Sequence, residues 1–185
     1  MTVIAIVKCR GTIIRMSTSS AVAPELSVQT WFNTDRPLQL SALRGRVVAL
    51  AAFQVLCPNS IACGIPQARR IHETFEPADV AVIGLHTTFE HHDAYSSAMV
   101  KAFIHEYRLK FPIALDTANT AGPIPLTMDR YNMRGTPSLV LIDRNGLIRK
   151  HTFGAADDLA LGAQIGALIQ ESTSARDVLA QCSVA

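Results

Sequence analysis

A central mixed β-sheet flanked by helices, in the α/β class, is what this sequence predicts, and three observations predict it. Short apolar runs at residues 47–53, 79–85, 111–116 and 138–142 have the length of strands buried on both faces. Apolar residues recur at helical spacing in between, as in Ile61, Ile65, Ala68, Ile71 and Phe75. Asp143-Arg144-Asn145-Gly146 contains Asn-Gly, the strongest short-range signal for a hairpin, so the last two strands run antiparallel.

The chain has 185 residues, enough for one domain with a substantial core. Its formal net charge of +2, with no basic run longer than Arg69-Arg70, excludes nucleic acid and membrane as expected partners. No apolar run approaches the ~18 residues of a membrane span. The N-terminal apolar stretch has neither preceding basic residues nor a small-residue cleavage pattern, so a cytoplasmic location is expected. In that compartment four cysteines without a regular framework point to catalysis or to core positions rather than to disulfides. Cys9 and Cys182 read as core residues. Residues 1–22 are expected to be a flexible extension, 23–171 the domain and 172–185 a tail. Residues 1–15 have the look of a start-site artefact, with Met16 as the alternative start.

The elements follow in order. Residues 27–33 read as a first short strand or hairpin, with Asn33 to Pro37 as its turn. Arg44-Gly45-Arg46 leads into the central strand. Cys57-Pro58 then opens a helix that carries Pro66, which should kink it. Residues 79–85 form a second strand, parallel to the first because a helix separates them. A helix from about Asp93 to Tyr107 presents Met99, Ala102, Phe103 and Tyr107. A strand at 111–116 and a Thr/Gly/Pro loop at 117–127 precede Gly135-Thr136-Pro137, where a cis bond would be useful before the next buried strand. Residues 147–153 return as an antiparallel edge, and 157–169 close the domain as a helix. The order β-α-β-α-β-β-α is that of a helix-covered mixed sheet.

Cys57 is the candidate nucleophile. It stands between a buried strand and a helix N-terminus, whose free N–H groups and dipole stabilise a thiolate and can bring a thiol pKa from about 8.5 to roughly 3.5–7.5. Asp116 and Asp143, at strand ends, read as turn caps. Trp31, Met128, Tyr131 and Met133 read as core residues, although the last three also lie near the Thr-Pro loop. His86, His91 and His92 could ligate copper(I) together with Cys57 and Cys63, but no metal is expected.

The motifs Ala23-Pro24-x-Leu26, Leu43-Arg44-Gly45-Arg46, Phe53-x3-Cys57-Pro58, Ile65-Pro66, Phe111-Pro112-x3-Asp116 and Gly135-Thr136-Pro137-x5-Asp143-x2-Gly146 resemble the redoxin branch of the thioredoxin superfamily. That branch joins AhpC/TSA peroxiredoxin-like proteins with TlpA-type thiol–disulfide oxidoreductases. The resemblance covers residues 23–170 and implies a thioredoxin-like fold with an N-terminal β-hairpin extension. It also implies an antioxidant or disulfide-exchanging enzyme that needs no cofactor. Its partners would be a disulfide or hydroperoxide substrate and an external thiol reductant such as thioredoxin.

The departures from the family pattern matter. Where the family commonly has Cys-x-x-Cys, this chain has Cys57-Pro58-Asn59-Ser60, and serine cannot resolve a disulfide. Cys63 could resolve Cys57 only if the first helical turns unwound, since an ideal helix separates the two positions by about 9 Å. Peroxiredoxins have Thr or Ser three residues before the peroxidatic cysteine. Gln54 holds that place for Cys57 and Ser60 holds it for Cys63, so a peroxidase reading shifts the nucleophile to Cys63. Their arginine position falls on Pro137, the proline that thioredoxin-like reductases use beside the thiol, with Arg134 nearby as a substitute. Cys57, Cys63 and Pro137 are thus the expected catalytic set, and Ser60, Thr136 and Arg134 the expected substrate-binding set. The alternative is a non-catalytic module of the same fold that binds copper or a protein.

Overall fold

The structure is a computed structural model that describes residues 21–171. Cys9, Cys182, the two candidate start methionines, most of the expected extension and the whole expected tail lie outside the described residues. In order the described chain forms β1 (Val28–Phe32), β2 (Val47–Phe53), α1 (Ile65–Thr74), β3 (Val80–His86), α2 (Ser97–Glu106), β4 (Ile113–Asp116), α3 (Leu126–Arg130), β5 (Ser138–Ile142), β6 (Ile148–Phe153) and α4 (Asp158–Gln170). One mixed sheet results, in the order β1-β4-β3-β2-β5-β6.

Every residue of β2 is buried. It lies parallel to β3, Val47 opposite Val80 through Phe53 opposite His86, and antiparallel to β5. Alternate side chains enter two separate cores, as strand geometry requires. Val47, Ala49, Ala51 and Phe53 meet α1, α2 and α4 through Ile65, Ile71, Val100 and Ile165. Val48, Leu50 and Ala52 meet Leu40, Leu43, Met128 and Tyr131 on the other face. With each large apolar side chain contributing about 1.5–3 kcal/mol when fully buried, β2 is anchored from both sides. Met128, Tyr131 and Met133 are core residues, as expected. Trp31 packs against the same cluster while half-buried.

Four expectations change in detail. The first segment forms no hairpin among the described residues: β1 pairs antiparallel with β4 at one edge of the sheet. The residues before it are held at the opposite edge, where Val22 bridges Leu147 and Ala21 accepts from the Ile148 N–H. Residues 21 and 22 therefore lie on the domain. The second helix begins at Ser97, because Ser96 caps it by accepting from the Met99 N–H. That start puts Val100 and Ile104 on the core, with Met99 and Phe103 beside them, while Ala102 and Tyr107 are exposed. Pro66 stands in the first turn of α1, and the distortion falls upstream, in a π-turn at Ser60–Gly64. Proline lacks an N–H and crowds the carbonyl four residues earlier, and the wider turn accommodates both effects.

The β5–β6 hairpin closes on Gly146, whose φ of 80° suits glycine and whose missing side chain leaves room for the Arg44 guanidinium. Asp143 caps the turn, accepting from the Asn145 and Leu147 N–H groups and from Arg149.

Candidate active site

Cys57 follows β2 through a tight turn in which its N–H donates to the Gln54 carbonyl at 3.2 Å. Its own carbonyl then accepts from the Ile61 N–H at 3.2 Å, so it stands at the start of the helical segment. The sulfur has two backbone neighbours: the thiol donates to the Thr136 carbonyl at 3.4 Å and accepts from the Ser60 N–H at 3.4 Å. The first belongs to the Thr136-Pro137 loop, whose peptide bond is cis, and the second to the helix start. Cys57 and the proline loop are thereby brought together. Gly64 ties them further, since a Cβ at that position would stand 2.5 Å from the Pro137 Cβ. The π-turn therefore lies directly against the proline ring.

The thiol pKa is lowered. Partial burial pushes it up, but the Ser60 hydroxyl and amide, the Thr136 side chain and the Asn59 amide together pull it further down. The Thr136 hydroxyl is buried and has no hydrogen-bond partner. A thiolate would attract it. Leu56, exposed at 49 %, forms the apolar rim beside the sulfur.

The remaining predicted residues are placed as follows. Ser60 is fully buried, and its Oγ accepts from the Gln54 N–H at 3.4 Å. So enclosed, the side chain lies within the turn that leads from β2 to the sulfur. Cys63 is a free, half-buried thiol, as is Cys57. Arg134 is exposed, and its guanidinium lies over the Phe153 ring at 5.9 Å from the centroid.

The histidines do not assemble. Among the described residues, no group of three or more His, Cys, Asp or Glu side chains is placed to hold a metal ion. His91 and His92 are exposed, while His86 is 0 % exposed at the end of β3. There His86 serves the nucleophile's turn: its Nε2 accepts from the Val55 N–H at 3.4 Å. Its ring packs edge-on against Phe53 and Tyr95, with centroids at 5.4 and 5.1 Å. Burial holds its pKa down to about 4, so the ring is neutral near pH 7 and free to accept. The sequence reading missed this support role. The available signal was a histidine ending an otherwise apolar strand, in register with the end of the strand that carries the cysteine.

Thioredoxin-like is the class that this sheet order and this thiol, set between a helix start and a cis-proline loop, define. The AhpC/TSA family model matches residues 20–151. The chain belongs to the AhpC/TSA family. Among solved structures it is similar to a thioredoxin-like superfamily protein at 50 % identity, covering 82 % of this chain and 97 % of that one with a TM-score of 0.80. It is also similar to a thiol–disulfide isomerase from Corynebacterium glutamicum, at 45 % identity, 81 % and 98 % coverage and a TM-score of 0.77. StoA from Bacillus subtilis, at 20 % identity, 74 % and 97 % coverage and a TM-score of 0.55, shares the fold. Among curated proteins none matches. The neighbourhood in structure space is that of thiol–disulfide oxidoreductases.

Proposed function

We propose that the protein is a thiol–disulfide oxidoreductase with a single nucleophile, Cys57, at its active motif. The observation that carries this reading is the sulfur's position, 3.4 Å from both the Ser60 N–H and the Thr136 carbonyl. A helix start favours the thiolate, and the loop beside it offers backbone to a substrate chain. In the reaction the Cys57 thiolate attacks a disulfide R–S–S–R′. The S–S bond breaks, a Cys57–S–R bond forms, and R′S⁻ leaves and takes up a proton from water. A second thiolate, from Cys63 or from an external thiol such as thioredoxin, then attacks the mixed disulfide. It becomes disulfide-bonded in its turn and releases Cys57 or R as thiolate. Ser60 confines the motif to one thiol, so the second electron pair comes from elsewhere.

The family match favours a second use of the same sulfur, thiol-dependent hydroperoxide reduction. There the thiolate would attack the peroxide, the O–O bond would break, and Cys57 sulfenic acid and an alcohol or water would form. Two features rank it second. Gln54, not a hydroxyl residue, stands three positions before Cys57 and is buried. Arg134 is laid over Phe153 and makes no hydrogen bond to the thiol among the described residues.

Stopped-flow assays of the reduced protein against bis(2-hydroxyethyl) disulfide and against hydrogen peroxide, with mass mapping of the modified cysteine, test the ranking. The disulfide is expected to react faster and to label Cys57, and Cys57→Ser is expected to abolish turnover. Full turnover in Cys57→Ser would remove the nucleophile assignment, and reaction with peroxide alone would reverse the ranking.

A further inference from the structure

The surface beside the thiol carries a feature that the exchange reaction itself does not use. Phe153, the last residue of β6, is 53 % exposed, among the few large apolar side chains so open to solvent. It pairs with Ser138 in the sheet, and the next residue donates its N–H to the Pro137 carbonyl at 2.8 Å, which fixes the end of β6 to the proline loop. The ring edge lies against that loop at Gly135, where an added Cβ would stand 3.0 Å from it. Over the ring, at 5.9 Å from its centroid, sits the Arg134 guanidinium. Among the described residues Arg134 has no carboxylate partner, whereas Arg70 and Arg149 do. A cation held on an aromatic face loses less rotamer freedom when it binds an anion, and it still has its N–H donors to give.

We propose that the disulfide substrate of Cys57 is an acidic cysteine peptide, and that Arg134, steadied on Phe153, takes the carboxylate of a residue adjacent to the substrate cysteine. The proposal rests on the exchange reading and names the substrate class for it. The peptide lies along the Gly135-Thr136-Pro137 backbone with its cysteine at the Cys57 sulfur. Its acidic side chain points toward Arg134. Cys57 displaces one cysteine thiolate of the peptide disulfide, and Arg134 takes no part in the bond exchange. It acts as a specificity determinant.

The test uses symmetric disulfides of blocked tripeptides with Glu, Gln or Lys placed on either side of cysteine, with rates measured on the reduced full chain. At low salt the better-placed Glu peptide is expected to react about fivefold faster than its Gln counterpart, with Lys slowest, and the spread should fade by about 0.5 M salt. Arg134→Gln is expected to bring the Glu-to-Gln ratio close to one and Phe153→Ala to reduce it, while Arg36→Gln, at an exposed site elsewhere, should leave it as in the wild type. A wild-type ratio of one, or a ratio kept in Arg134→Gln, would overturn the proposal while leaving the exchange reaction standing. If none of the peptides and no neutral disulfide reacts with Cys57, the exchange reading falls and takes this proposal with it.

Discussion

At the end of β4, Asp116 accepts three hydrogen bonds, from the Thr127 and Met128 N–H groups at the start of α3 and from the Thr87 hydroxyl, and is 5 % exposed. At the end of β2, Cys57 also meets the start of a helical segment, but it accepts one backbone N–H and keeps part of its surface open. Both sites set an acidic group on helix N-terminal donors, a device that stabilises the anion. In the first the acceptor is saturated and enclosed, and it fastens the Thr/Gly/Pro loop to the sheet. In the second the sulfur is charged more readily than usual, yet it has capacity left and an approach path. Their pKa values move in opposite directions: burial pushes Asp116 up against the pull of its donors, while at Cys57 the donors outweigh a weaker burial. The two sites differ in how completely the charge-stabilising donors enclose the group.

The contrast is sharpest in substitutions that remove each group. Cys57→Ser is expected to lower disulfide exchange by about a thousandfold or more and to leave urea-unfolding stability within about 0.5 kcal/mol. Asp116→Ala should do the reverse, costing about 3 kcal/mol through two orphaned amides and a hydroxyl while the Cys57 reaction rate stays within a few-fold. A large loss of stability in the first variant, or of thiol reactivity in a folded second one, would break the comparison.

The next effect is carried by His86. Neutral and buried, it takes up a proton on unfolding wherever the pH lies between its folded pKa of about 4 and its ordinary value of 6.5. Its contribution is therefore complete above pH 6.5 and is lost as the pH falls toward 4, to a total of about 3 kcal/mol. Chemical denaturation at pH 7 and pH 4.5 should show this loss in the wild type and a smaller one in His86→Gln. Equal losses would show that His86 is not the group responsible.

Gly64→Ala comes third. Its Cβ would collide with Pro137 at 2.5 Å, and the two loops would have to part. A cost of about 1–3 kcal/mol is expected, with slower alkylation of Cys57 by iodoacetamide near pH 7 as the sulfur leaves its donors. Ser60→Ala should have the smallest effect, raising the thiol titration midpoint seen by thiolate absorbance because one donor to the sulfur is gone. An unchanged midpoint would assign the lowering to the backbone amides and the Thr136 side chain.

Much of this arrangement was legible in the residues. Continuous apolar runs marked β2, β3 and β5, because a strand covered on both faces has no room for alternation. Asn145-Gly146 marked the hairpin, and Cys57-Pro58 after a buried strand marked the strand-to-helix junction where the thiol meets the proline loop. What stayed hidden depends on contacts far apart in the chain. The helical period of residues 93–107 could be read, but its phase was set by the Ser96 cap and the core it faces. A proline in a helix announces a disturbance without saying where it falls, and here the π-turn absorbs it before Pro66. The role of His86 needs the register of β3 against β2, which no local pattern encodes.

The placement of β2 between β3 and β5 has a further consequence for how the thiol behaves over time. A strand with neighbours on both sides opens only when most of the domain opens, whereas edge strands such as β1 and β6 can fray alone. Cys57 therefore follows, within a few residues, the strand expected to exchange slowest. Amide exchange in β2 should persist after the sheet margins have lost protection.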